Sequence, residues 1–299
     1  MMKKPLIAAI ATMAVAAGAQ AESKFYGKMN VSVGYDDTSE GFALEDHASR
    51  LGVKGSDDIG NAKVIYQAEF GRKIDGENTI SSRDAFVGLS YGDKGTVKMG
   101  IMDTPLKKSQ GKFDLFNDVV DINQVLAGEN RLANSLNYTT AKMGAVQASI
   151  SAVFGEGSSD GLSGSVIYKE GDIYAAVAFD DNTSQVRTIR ATGIFTMGDM
   201  RFGVLVNNVD EADTADAKMG YAVNASLKMG KNTAKVQFAK GDQGKQTTDN
   251  GLVGPQNLSL GLDHKLAKTT KAYAVVNLFD SDAADTDQMN VGVGLEHKF

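Results

Sequence analysis

The 299-residue chain has no cysteine and no tryptophan, only three prolines and only three histidines. Without cysteine no disulfide staples the fold and no thiolate metal site can form. Long apolar runs are scarce too. The one substantial stretch, Leu6 to Gly18, covers about a dozen residues, short of the ~20 that a membrane-crossing helix needs. Lys3 and Lys4 precede it and Ala19-Gln20-Ala21 follows, so residues 1–21 read as a secretory signal peptide cleaved after Ala21. Downstream, runs such as Ile173 to Phe179 are too short to span a bilayer as helices, so membrane insertion must use strands.

The histidines are equally limiting. Asp263 and His264 are adjacent on an apparent strand and point to opposite faces, so they form no catalytic dyad; His47 lies in an apparent loop and His297 on the outer face of the last strand. No metal-ligand spacing, catalytic set or cofactor motif results. Basic residues number 31 and acidic ones 37; losing Lys3 and Lys4 leaves 29 against 37, a formal charge near −8, which argues against nucleic acid as a partner.

What the chain does have is two-residue alternation and 33 glycines. Phe25, Gly27, Met29, Val31, Val33 and Tyr35 oppose Lys24, Tyr26, Lys28, Asn30 and Ser32 across a first strand. After a polar stretch from Asp36 to Asp46, strands over 50–56 and 63–70 form a hairpin through Asp57 to Asn61. Strands over 82–91 and 96–102, and over 131–139 and 145–154, repeat that unit, and tight turns at 170–172, 197–199, 230–232 and 267–269 alternate with longer, mostly acidic or polar connections. Sixteen strands result, in one domain spanning 22–299.

Short connections alternating with long ones are the pattern of an outer-membrane barrel. A soluble sandwich shows alternation too, but its interior would not take a face of Lys, Arg, Asn, Gln and Ser. The expectation is therefore all-β: a 16-stranded antiparallel transmembrane β-barrel with a wet interior. With no Trp, its interfacial girdles fall to Tyr and Phe, among them Phe25, Tyr35, Tyr91, Tyr138, Phe195, Phe279 and Phe299.

Ser49 to Asn61, Ile65 to Phe70, Arg83 to Leu89, Gly95 to Gly100, Asp103-Thr104-Pro105, Arg131 to Tyr138 and the terminal Val293 to Phe299 together resemble the general diffusion porins of gram-negative outer membranes. The resemblance implies that the third long loop, 103–130 here, folds into the barrel and narrows a water-filled channel for ions and small hydrophilic solutes. It places a basic ladder at Lys28, Arg50, Arg83 and Arg131, with Lys63 and Lys98 nearby, opposite loop acids Asp114, Asp118 and Asp121. It also implies a homotrimer, surrounding outer-membrane lipid and lipopolysaccharide, and recognition of Phe299 by the barrel-assembly machinery. A substrate-specific channel, or an adhesin or receptor on the same barrel, is the alternative.

Opposite charges across a gap of ~10 Å order water and make its displacement by an apolar solute costly. Arg50 and Arg131 face inward by phase. Arg83 shares parity with Ala85, Val87 and Leu89, so it needs a bulge or a strand end to reach the lumen. Lys54, Lys218, Lys228 and Lys235 read as ordinary hydrophilic lumen residues. Ile101 replaces an Arg common after the strand-five Gly, and the loop lacks a Pro-Glu-Phe-Gly-Gly type of motif. Acidic outer loops suggest a mild cation preference.

Overall fold

The computed structural model describes residues 23–299 apart from 38–39, 77–78, 156–159, 184–185, 212–216 and 284–285. The leader at 1–21 lies outside the described residues, as do Asp213, Asp216 and Asp285 of the acidic loops. In chain order the strands are β1 (Lys24–Asp36), β2 (Gly41–Asp46), β3 (Arg50–Ile59), β4 (Ala62–Arg72), β5 (Ile80–Ser90), β6 (Thr96–Asp103), β7 (Arg131–Thr139), β8 (Val146–Val153) and β9 (Gly161–Glu170). They continue with β10 (Ile173–Asp181), β11 (Val186–Met197), β12 (Met200–Glu211), β13 (Lys218–Met229), β14 (Asn232–Gly241), β15 (Gln256–Lys265), β16 (Thr270–Asp280) and β17 (Gln288–Lys298).

Each strand pairs antiparallel with its neighbours, and β1 closes the sheet on β17 through pairs from Lys28↔Lys298 to Asp36↔Asn290. The other edge of β1 is shared. Its first half pairs with β3 and its second half with β2, because His47-Ala48-Ser49, with Ala48 at φ 55°, interrupts one continuous stave. Counting β2 and β3 together gives the sixteen staves expected. The stretch from Asp36 to Asp46, read as loop from its acids, is strand from Gly41: Phe42 and Leu44 alternate there, and the Phe42 ring lies 5.2 Å from that of Tyr35.

One rim carries the short connections. Gly198 and Gly230, at φ 61° and 62°, occupy the left-handed position that lets two-residue turns follow the twist of the strands. The chain end closes the same rim, with Gly27 N donating to Phe299 O at 3.0 Å and Phe299 N to Gly27 O at 3.1 Å. The opposite rim carries the long connections, the longest being 104–130 between β6 and β7.

Burial is inverted relative to a soluble protein. Asn30, Ser32, Asn137, Ser151, Ser163, Thr188, Asn207, Gln237 and Ser259 are buried on the inner face, while Val87, Met99, Ile150, Val177, Ile189, Val204 and Val293 are exposed on the outer one. Apolar side chains left bare in water would forfeit roughly 1.5–3 kcal/mol each. Lipid removes that cost, and the polar inner face suits water. No described helix is long and apolar enough to cross a membrane. Among the girdle candidates Phe25, Tyr91, Tyr138, Phe195 and Phe299 are exposed, whereas Phe279 is buried at 5% and turned away from the outer surface.

Candidate functional site at the charged collar

Strands β1 and β3 to β7 bring a collar of charge together. Lys28 and Arg50 are direct cross-strand partners, so their side chains leave the same face side by side. Both meet Asp118 of the 104–130 segment: Lys28 Nζ ion-pairs with its Oδ2, and Arg50 Nη1 lies 3.5 Å from the same oxygen. Glu69 on β4 joins from below, 3.7 Å from Arg50 Nε, bonded to Arg83 Nε, and accepting from Tyr26 OH at 2.9 Å.

Arg83 reaches this cluster through a bulge. The β4–β5 register shifts between Ala68 and Phe70, so that Glu69 faces two residues, Arg83 and Asp84, where regular pairing would offer one. The extra residue resets the parity of β5. Arg83 then turns inward to Glu69, and Asp84 accepts from Arg131 Nε at 2.7 Å. Arg131 Nη2 also meets Asp103 at 2.9 Å, and Asp103 lies 3.4 Å from Lys107 Nζ. Lys98 stacks its ammonium over the Phe86 ring, 4.4 Å from the centroid. Lys63 is elsewhere: more than half exposed, it pairs with Asp58 at 3.2 Å beside the β3–β4 turn.

Residues 104–130 are built against the other wall. Thr104 caps α1 (Pro105–Ser109), accepting from Lys107 N at 3.2 Å, with Pro105 in the first turn where its missing N–H costs nothing. Ser163 accepts from Leu106 N at 3.2 Å, and Tyr174 OH donates to Ser109 O at 2.8 Å. Inner-face amides then hold the backbone like rungs: Asn224 Nδ2 donates to Phe113 O at 2.7 Å, Gln237 Oε1 accepts from Leu115 N at 3.0 Å, and Asn207 Nδ2 donates to Ala127 O at 2.8 Å. Phe113, Ile122, Val125 and Leu126 pack with Ile194, Leu205, Ala222 and Ala239 in the chain's one described cluster of buried apolar residues. Small residues leave room for the rings: a Cβ at Gly261 would stand 2.7 Å from Phe116 Cε1.

The three acids expected from sequence, Asp114, Asp118 and Asp121, therefore divide. Of these, Asp118 is the one that meets Lys28 and Arg50. Asp114 accepts from Phe116 N at 3.0 Å, Asn117 N at 2.9 Å and Gln237 Nε2 at 3.0 Å, and Asp121 caps the turn Ile122–Gln124 through Asn123 N at 3.0 Å. Burial raises the pKa of Asp114, and it pushes that of Asp121 up to about 7. Burial acts on Asp118 in the same direction, but the Lys28, Arg50 and Arg83 cations outweigh it and hold the carboxyl below its ordinary value. Desolvation lowers Lys108.

The profile of the family described as Gram-negative porin matches residues 7–293. The chain belongs to that family. The porin is 24% identical to the major outer membrane protein P.IB of Neisseria meningitidis serogroup B over the full length of both chains. Its fold is similar to that of an anion-selective porin from Comamonas acidovorans, with TM-score 0.80, 21% identity and coverage of 94% of this chain and 100% of that one. OmpT of Vibrio cholerae, in a trimer form, matches with TM-score 0.74 at 15% identity, covering 94% and 100%. The porin is thus an outer-membrane channel for passive diffusion.

Residue reading from sequence missed several participants. Glu69, Asp84 and Asp103 are wall acids that pair directly with Arg50, Arg83 and Arg131. Arg190, with no exposed surface, was also missed: it bonds Asn207 Oδ1 at 2.9 Å, Glu129 Oε1 at 2.8 Å and Ala127 O at 2.7 Å, clamping the returning limb of the segment. Lys235 is more than a wet lumen residue. It pairs with Asp263 at 2.9 Å, donates to Leu115 O at 3.0 Å and lies 4.6 Å above the Phe116 ring. The parity of Glu69 relative to Lys63 and Gln67 was the available signal; Asp84 and Asp103 were hidden by bulges.

Proposed function

We propose that residues 104–130 narrow the channel at the collar, and that this narrowing sorts solutes by size, polarity and charge. The observation that carries the proposal is Asp118 ion-paired with Lys28 and Arg50 while the flanking residues hang from β11 to β14. A segment tied to both walls occupies the space between them. Water beside such fixed charges is costly for an apolar solute to displace and easy for an ion or sugar to exchange.

The collar favours anions. Its described cations are Lys28, Arg50, Arg83, Lys98, Lys107, Lys108 and Arg131, seven against the four carboxylates Glu69, Asp84, Asp103 and Asp118. Asp114 and Asp121 are held by Phe116 N, Asn117 N, Gln237 Nε2 and Asn123 N, away from these cations. Exposed charges are screened within ~8 Å at physiological salt, so the collar outweighs the acidic outer loops and reverses the cation preference suggested by their sequence.

The working unit is a homotrimer, in keeping with the trimer form of the Vibrio cholerae neighbour. Residues 1–21 are removed on export, Phe299 is read by the assembly machinery, and the barrel sits among outer-membrane lipid and lipopolysaccharide. Asp263 and His264 form no dyad: Asp263 turns to Lys235 and Lys271, His264 to Asn232.

Liposome swelling with uncharged sugars of rising size tests the narrowing. The proposal expects a sharp size cutoff in the native protein, relaxed to larger sugars by Asp118→Asn. An unchanged cutoff would remove Asp118 and its segment from the filter.

A further inference from the structure

A second cluster of cations, at the short-turn mouth, takes no part in the collar. Lys265 N donates to Lys231 O at 2.8 Å, Lys265 directly opposes Lys271, and Lys271 directly opposes Glu296. Facing residues on neighbouring strands share a face. Asp263 identifies it as the inner one, because its carboxylate holds both Lys271, at 3.0 Å, and Lys235, whose ammonium reaches the 104–130 segment. Lys265 and Lys271 thus share the inner face on strand ends ~4.8 Å apart, and Lys231, in the turn between β13 and β14, lies beside them and lines the same groove.

Lys268 and Lys298 complete a groove of about 260 Å³ that also includes Thr233 and Thr269. Two of these cations are satisfied: Lys271 by Asp263, and Lys298 by Glu296 at 3.0 Å. Lys231, Lys265 and Lys268 have no carboxylate at ion-pairing distance among the described residues. Like charges directly opposite one another destabilise a sheet. A counter-anion relieves that repulsion, and one with several charges and several oxygen acceptors meets three ammonium groups and the threonine hydroxyls at once. A single halide reaches only part of the set.

We propose that this groove binds small, multiply charged oxyanions of the phosphate class at the short-turn mouth. The role given to it in transport rests on the channel reading above: Lys271, Asp263 and Lys235 connect it to Leu115 and Phe116, so it forms a relay for such anions on the exit side of the narrowing.

Inorganic pyrophosphate is the probe. Titrated by calorimetry into the refolded protein in uncharged detergent at low salt, it binds one site per chain. The triple variant Lys231→Gln, Lys265→Gln, Lys268→Gln weakens that binding by about tenfold or more, and the matching Lys→Arg triple retains it. In single channels, pyrophosphate reduces the current at lower concentration from the short-turn side than from the loop side, and the Gln triple abolishes the difference. An equal loss from the rim control Lys142→Gln with Lys169→Gln overturns the proposal, as does symmetric block. Binding of short-chain phosphatidic acid but not of free pyrophosphate would assign the groove to a lipid headgroup and overturn it as a solute site. Saturable binding without any open channel would leave the site standing and remove the channel reading.

Discussion

The carboxylate of Asp118 lies between Lys28, which is 4% exposed, and Arg50. Removing one partner of a buried charge pair leaves the other unpaired, at a cost of ~3 kcal/mol. Asp118→Asn should therefore free the tip of the segment, raising single-channel conductance and current noise while the barrel itself still folds; unchanged conductance and noise would show that the tip is held elsewhere. Asp121 gives a pH dependence. Its folded value is about 7 against an ordinary 3.8. Both docked and undocked states are protonated in acid, so nothing is lost there. As pH rises from about 4 through 7 the undocked acid ionises first, and docking weakens. Hydrogen exchange at residues 121–126, corrected for the intrinsic pH effect, should be slower at pH 5 than at pH 8, and Asp121→Asn should flatten the difference. Greater protection at pH 8 would contradict this assignment. At this scale Lys28 and Arg50 share a face because simple alternation governs β1 and β3, and Asp118 meets them there. Lys63 keeps its inward parity, but its height, beside a turn, is something alternation does not encode.

Among elements, the strands and short turns were legible because alternation and turn glycines are local properties. The bulge in β5 was not. Only the need for one could be read, from the conflict between Arg83 and the apolar parity of Ala85, Val87 and Leu89. Strand β2 was obscured by its acids, and the interruption at 47–49 depends on the backbone of Ala48 and on pairing with β1. The 104–130 segment depends on distant partners: Asn207, Asn224 and Gln237 read as generic polar lumen residues until the backbone they hold is known. Its apolar anchor is open to test. Leu126 is fully buried against Ala222 and Ala239, and Leu126→Ala should cost ~2–5 kcal/mol, borne by the segment. Limited proteolysis of the folded barrel should then cut within 104–130 while β-sheet content stays unchanged. Resistance equal to that of the native protein would mean that the polar rungs suffice.

The whole molecule is an inverted core closed by its own ends. Phe299 exchanges two backbone hydrogen bonds with Gly27, and its ring lies 6.1 Å from that of Phe25 at the outer surface. Phe299→Ala should reduce the amount of inserted barrel without altering the conductance of those that insert, so normal assembly levels would count against a role in biogenesis. The water-filled interior is tested first by single-channel recording of the purified, refolded protein in a planar bilayer under a salt gradient. Stepwise, persistently open channels with a reversal potential of the sign set by anions are expected. A correctly folded barrel that inserts and carries no current would rule out a diffusion channel.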